Sequence, residues 1–268
     1  MFIEAIYKKI WKNIEQKKLT AVFKGLIKTS NGLRKIGIDK RQKMFKMVTD
    51  AFGGNLDMLI SGGAPLDSAY CDFFESIGIT LLNGYGITEC SPIVAVNPLN
   101  NNRIGSVGMV LPETHVKIIN KDESGNGEVC VTGSSVMLGY YKNKEATDDA
   151  FDDMWFKTGD IGRLDEDNFL YISGRKKNLI ILANGKNIYP EEIEELVMRI
   201  PEVIETVVYS ENEVITAEVY TENQEAVRTA IRNLNKGLPI YKHIKNIKFR
   251  NTEFEKTTTK KIKRNMVV

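Results

Sequence analysis

The sequence predicts an α/β fold with β-rich additions, followed by a small α+β domain. Three observations predict it. From Leu56 onward, short apolar runs punctuated by glycine (LDMLISGGAP, GITLLNGYG) flank a helical stretch at residues 68–77, the alternation of an α/β layer. Further short strands follow in VKIINKDESGNGEVCVTG and in RLDEDNFLYIS, where Leu164 and the apolar run at 169–172 flank an acidic turn. Beyond Arg175 the pattern restarts within 94 residues, the size of a small independent domain. The sequence therefore reads as two domains, 1–174 and 175–268.

Taken in order, the chain opens with Ile3, Ile6, Tyr7, Ile10, Trp11 and Ile14 at three- and four-residue spacing, with lysines between them. That is an amphipathic helix, packed on a core or lying on a membrane surface or a partner. Residues 19–52 continue in the same helical, basic style. In the second domain Pro190 opens a helix whose Ile193, Leu196, Val197 and Ile200 share a face. Strands at 205–209 and 214–220, a helix at 222–236 and a strand at 244–249 complete it.

Composition bounds the function classes. Hydrophobic residues are 42% and charged residues 27%, an ordinary globular balance. No apolar run approaches the ~18 residues of a membrane-spanning helix. The first residues, charged almost from the start, do not read as a signal peptide. Cys71, Cys90 and Cys130 are odd in number and widely spaced, which suits buried thiols in a reducing compartment, and so a cytoplasmic location. Residues 1–50 carry a net +9 and 236–268 a net +8, against −15 between them. Basic ends attract nucleic acid, anionic lipid or phosphorylated ligands. The absence of an aromatic-interleaved basic stripe or zinc finger argues against nucleic acid.

Five stretches, the first two forming one constellation, can carry chemistry. SGGAPL (61–66) and NGYGITE (83–89) lie at strand ends, where open sheets bind ligands. Gly62, Gly63, Gly84 and Gly86 let backbone approach a planar or phosphorylated ligand. Tyr85 offers a ring for a base, Thr88 a hydroxyl for phosphate, and Glu89 a carboxylate for magnesium. In WFKTGDIG (155–162), Asp160 follows a Thr-Gly turn and can accept both hydroxyls of a ribose. In GRKKNLIILANGKNIYPEEIEE (174–195), Arg175 can bridge to that ribose or to a phosphate. EKTTTKKIKR (255–264) is a lysine-rich loop able to reach into a site. His115 and His243 read as structural or surface residues.

Together, YGITE, GEVCVTGSSVMLGYY, WFKTGD, GRKKN and TTTKKIKR resemble, in order and spacing, the signature motifs of the adenylate-forming superfamily. IYKKIW, VMLGYYKN, NGKNIYPEEIE and EKTTTKKIKR are most similar to bacterial long-chain fatty acyl-CoA synthetases. The resemblance implies the later part of a large α/β adenylate-forming domain with a β-rich subdomain, then a small mobile C-terminal domain. It implies activation of a fatty acid with ATP to an acyl-adenylate, then thioester formation with CoA and release of AMP. By that resemblance Lys261 is the catalytic lysine and Glu89 holds Mg2+. Thr88 meets phosphate, Asp160 and Arg175 the ribose, and Asn83 with the surrounding glycines lies in the nucleotide site. Tyr85, Gly63 and Ala64 then meet adenine, and Lys177 is the hinge of the small domain.

Glu255 stands where many relatives have proline, and Lys260 where many have glycine. The Ser/Thr/Gly-rich phosphate loop that the resemblance calls for is not present in residues 1–55. The expectation is therefore a fragment with an apolar N-terminal edge that favours the missing N-terminal half or a homo-oligomer. Its expected substrates are fatty acid, ATP and CoA, with peripheral contact at the inner face of the membrane. Acyl transfer to a carrier-protein thiol and a non-catalytic nucleotide-binding remnant stay open as alternatives.

Overall fold

The computed structural model describes residues 2–63, 66–182, 185–258 and 260–267. The helices are α1 (Phe2–Gln16), α2 (Thr20–Lys35), α3 (Arg41–Met44), α4 (Lys46–Asp50), α5 (Ser68–Ser76), α6 (Lys144–Ala150), α7 (Pro190–Met198) and α8 (Gln224–Lys236). The first strands are β1 (Met58–Gly62), β2 (Thr80–Gly86), β3 (Ile93–Val96), β4 (Gly108–Val110), β5 (Thr114–Ile119), β6 (Gly127–Gly133), β7 (Phe151–Asp152), β8 (Trp155–Leu164) and β9 (Phe169–Arg175). They form one sheet in the order β1-β2-β3-β4-β9-β8-β6-β5, with β7 beside β8. β10 (Ile180–Ile181) pairs with β11 (Asn187–Ile188), and β12 (Glu205–Glu211), β13 (Val214–Tyr220) and β14 (Asn246–Arg250) form a third sheet. The chain divides into two compact units: residues 1–117, 130–158 and 164–171, and residues 118–129, 159–163 and 172–268.

In the first unit β1 and β2 are parallel, so a crossover is needed between them, and α5 supplies it. Asp67 caps α5 by accepting from the Ala69 N–H at 2.7 Å. The α1 stripe packs on a core: Ile3, Ile10 and Ile14 are buried with Phe23, Phe45, Phe73, Phe74 and Leu81. Each such aliphatic side chain contributes about 1.5–3 kcal/mol of burial. Trp11 meets Phe23 edge-on with ring centroids 5.5 Å apart, an arrangement that suits the ring quadrupoles. β1 ends the sheet, and its Met58 and Ile60 are exposed. No helix among the described residues is long and apolar enough to cross a membrane.

In the second unit Pro190 occupies the first turn of α7, where its missing N–H costs nothing. α7 and α8 cover one face of the third sheet through Ile193, Val197, Val227 and Ile231 against Val208, Ile215, Ala217 and Val219. Leu196 is only partly buried. The other face carries Val207 and Tyr209, on which Phe254, Ile262 and Val267 of the C-terminal tail pack. α8 begins at Gln224 rather than at 222 because Asn223 caps it, accepting from the Ala226 N–H at 3.2 Å. The last strand starts at Asn246 rather than Ile244, whose N–H is taken by Asn235 Oδ1 at 3.0 Å.

Candidate functional site

The register of β1 and β2 sets Ser61 beside Asn83 and Gly62 beside Gly84 at the C-terminal ends of two parallel strands. A Cβ on Gly62 would lie 3.2 Å from the Gly84 carbonyl oxygen, and Gly63 leaves the strand at φ +79°. Two bare backbones thus lie side by side where a sheet of this type receives ligands. Ala64 lies outside the described residues. Asn83 Nδ2 donates to the Ser106 carbonyl at 3.4 Å, and its own carbonyl accepts from the Asn97 N–H at 2.9 Å. Asn83 Oδ1 is buried and takes no hydrogen bond from the protein. An unpaired buried acceptor costs about 1–3 kcal/mol, a cost that a ligand donor would remove.

The YGITE turn is held from both sides. β2 shifts register between Tyr85 and Gly86, and a Cβ on Gly86 would fall 2.3 Å from the Pro92 carbonyl oxygen. That carbonyl accepts the Ile87 N–H at 2.8 Å and closes the turn carrying a 3-10 segment, Thr88–Cys90. Tyr85 pairs with Ala95 across the strands, and Thr88 is exposed. Glu89 is fixed twice: its carbonyl accepts the Met137 N–H at 2.8 Å, and its Oε1 accepts the Tyr140 hydroxyl at 3.0 Å. Burial, reinforced by Glu89, raises the Tyr140 phenol above its ordinary value. Cys90 is buried and its thiol is pushed up to about 11 by desolvation, which makes it a packing residue rather than a nucleophile. Cys71 and Cys130 are likewise buried, and neither forms a disulfide.

In the second unit, residues 159–163 belong to β8, which runs unbroken from Trp155 to Leu164. The Thr-Gly turn expected before Asp160 is therefore absent; Gly159 takes a left-handed φ of +68° within the strand instead. Asp160 is 5% exposed and pairs with Arg175 Nη1 at 2.6 Å. The next residues are also tied down, Lys176 to Glu128 at 2.6 Å and Asn178 to Glu191 at 2.6 Å. Lys177 stands exposed between them in the 3-10 segment Lys176–Asn178. Lys261 is exposed in a tight loop closed by the Lys256–Ile262 bridge. Its carbonyl accepts the Thr257 N–H at 2.8 Å. His115 is exposed, and His243 Nε2 lies 3.0 Å from the Leu238 carbonyl.

The structure thus gathers Gly62, Gly63, Asn83, Gly84, Tyr85, Gly86, Thr88 and Glu89 in the first unit, and pairs Asp160 with Arg175 in the second. Sequence reasoning passed over Tyr140 and the Asn97–Ser106 pair, whose Ser106 hydroxyl donates to Asn97 Oδ1 at 3.1 Å. The only signal for Tyr140 was the GYY run inside the quoted VMLGYYKN stretch. The donor set fits a nucleotide with magnesium. No group of three or more metal-ligating side chains occurs among the described residues, and Mg2+ bound to a nucleotide needs only one or two carboxylates besides phosphates and water.

The sequence profile of the family described as AMP-binding enzyme matches residues 7–141. The chain is 42% identical over 152 residues to the long-chain-fatty-acid–CoA ligase FadD15 of Mycobacterium bovis, covering 57% of this chain and 24% of that relative. Among solved structures, o-succinylbenzoate CoA synthetase (MenE) from Bacillus subtilis in complex with the acyl-adenylate intermediate OSB-AMP matches with a TM-score of 0.74 at 25% identity. The same enzyme in complex with ATP and magnesium ion matches with a TM-score of 0.70 at 25% identity. Each match covers 84% of this chain and 49% of that structure. The chain therefore spans about a quarter of that curated relative's length and about half of the solved chain's.

Proposed function

The chain belongs to the AMP-binding enzyme family, and from that premise we propose that it carries nucleotide-binding and adenylating residues of a long-chain fatty acid–CoA ligase. In the proposed reaction a fatty carboxylate oxygen bonds to the α-phosphorus of ATP as the bond to pyrophosphate breaks. The CoA thiol then attacks the acyl carbon, a C–S bond replaces the C–O bond to AMP, and the thiol proton leaves to solvent. The first step needs neutralisation of charge around phosphorus more than proton transfer. Lys261 supplies a cation there, Thr88 a hydroxyl to phosphate, and Arg175 with Asp160 the ribose contacts. Glu89, oriented by Tyr140, would hold Mg2+, which screens the phosphate charge when bound with ATP. Lys177 serves as the hinge of a small domain that begins at 175.

The observation that carries this reading is the Gly62–Gly84 backbone pair beside the buried, unpaired Asn83 Oδ1. A planar base needs bare backbone to lie on, and the amino group of adenine is a donor for that oxygen. Tyr85 and Gly63, with Ala64, complete the base site in this reading.

The test is ATP–pyrophosphate exchange with palmitate and Mg2+, on this chain alone and mixed with the phosphate-loop half of a relative such as the M. bovis ligase. Exchange in either preparation, lost in Lys261→Ala, supports the reading. AMP binding with no exchange in both would replace it with a nucleotide-binding module. Exchange with palmitate but thioester formation only on a carrier-protein thiol would change the acceptor.

A further inference from the structure

The loop that carries Lys261 is clamped at both feet to β12, the edge strand of the small sheet. At the first foot, the Phe254 N–H donates to Glu205 Oε2 at 2.8 Å, and Lys256 pairs with Glu205 and, at 2.7 Å, with Glu253. At the second foot, Glu194 of α7 accepts the Val208 N–H at 2.6 Å, while Arg264 Nη1 donates to the Val208 carbonyl at 3.1 Å. Glu194 and Arg264 also pair with each other. Both backbone polar groups of Val208, on the edge strand, are thereby satisfied by two side chains 70 residues apart. Between the feet the loop is closed by the Lys256–Ile262 bridge and by the Lys263 N–H donating to the Glu255 carbonyl at 2.8 Å.

An ion pair drawn partly out of water, as Glu194 and Arg264 are, is a weak source of stability, because desolvating both charges offsets their attraction. Burial pushes the Glu194 carboxyl up to about 7 even with Arg264 and the Val208 N–H drawing it down. Stability therefore does not account for the pair, but location does. Arginine suits the task, since two of its nitrogens serve two acceptors in a fixed fork, which a lysine ammonium cannot reproduce.

We propose that Glu194 and Arg264 are positioning residues, which hold the Lys261 loop against the β12 edge so that the lysine is presented in one place. The proposal rests on the catalytic role assigned to Lys261 above. Its test uses Arg264→Gln, Arg264→Lys and Glu194→Gln in the full chain at pH 8, with two readouts. In hydrogen–deuterium exchange, Arg264→Gln should speed uptake across residues 255–266 about 10-fold while leaving α8 unchanged, as for a local opening. In pyrophosphate exchange, kcat should fall by about 100-fold, the order expected for a group misplaced by about 1 Å, with KM for ATP little changed. Arg264→Lys, which keeps the charge but not the fork, should recover part of both.

Loop uptake equal to the parent chain in Arg264→Gln would overturn the clamp. Faster uptake with unchanged kcat would overturn its positioning role. Lys261→Ala run in parallel separates the two ideas: retained exchange in that variant refutes the catalytic reading, while the uptake measurement still decides the clamp. Where no preparation shows exchange, loop uptake decides the clamp alone.

Discussion

Glu194→Gln makes a prediction whose sign is opposite to that of an ordinary salt bridge. A paired surface carboxylate is held below its usual value and stabilises the fold as pH rises. Glu194 is pushed the other way, from 4.5 to about 7, first by burial and further by Glu191, against the pull of Arg264 and the Val208 N–H. Between those two values the folded chain holds a proton that the unfolded chain has released. The stabilisation is therefore complete below 4.5 and lost as pH rises through about 7. A shift of that size corresponds to about 3 kcal/mol, at about 1.4 kcal/mol per unit. Glutamine cannot titrate, yet its amide still offers an acceptor to the Val208 N–H and Arg264. Urea unfolding of both proteins, followed by circular dichroism from pH 4.5 to 8, isolates the effect, because all other titrating groups are common to the pair. The parent chain should lose up to about 3 kcal/mol relative to the variant across that range. A difference that is flat, or that grows in favour of the parent as pH rises, would refute the account of Glu194 as a carboxylate held by geometry at the expense of its ionised form.

Part of this fold and site is legible in the sequence and part is not. The periodicity of Ile3, Ile10 and Ile14 was enough to find α1 and its buried face, because a helix stripe is written locally. The same holds for Pro190 at the start of α7 and for the paired strands β12 and β13. The glycines at 62, 84 and 86 read in the sequence as room for a ligand, whereas the contacts a Cβ would make there are with neighbouring protein backbone, a close approach that only the folded sheet reveals. Two kinds of feature were not legible. One is continuity: WFKTGDIG reads as a turn because Thr-Gly-Asp is turn chemistry, but its partners in the sheet carry the strand straight through, with Gly159 absorbing the unusual φ. The other is pairing over long separations. Tyr140 reaches Glu89 across 51 residues and Arg264 reaches Glu194 across 70, and no local pattern marks a hydroxyl or guanidinium for such a partner.

Three further outcomes test the candidate site. Tyr140→Phe removes one hydrogen bond to Glu89 Oε1 and should raise the Mg2+ concentration needed for half-maximal exchange about 5-fold, an effect of about 1 kcal/mol; an unchanged magnesium requirement would remove Tyr140 from the site. Asp160→Asn should weaken AMP binding in calorimetry about 10- to 100-fold, as expected when a hydrogen bond to a charged acceptor is lost, and equal affinity would argue against a ribose contact. Gly86→Ala acts through backbone instead. The added methyl would fall 2.3 Å from the Pro92 carbonyl oxygen, and that oxygen cannot retreat without breaking its bond to the Ile87 N–H at 2.8 Å. Either the register of β2 and β3 shifts or the turn opens, and the strain is on the order of 1–3 kcal/mol. Thr88 and Glu89 begin two residues beyond, so AMP affinity should drop by more than the loss of stability alone predicts, while the second unit, with Asp160 and Lys261, keeps its parent exchange pattern. Parent-like AMP affinity in a folded Gly86→Ala chain would mean that the turn does not set the nucleotide site, and Thr88 and Glu89 would lose their assigned roles.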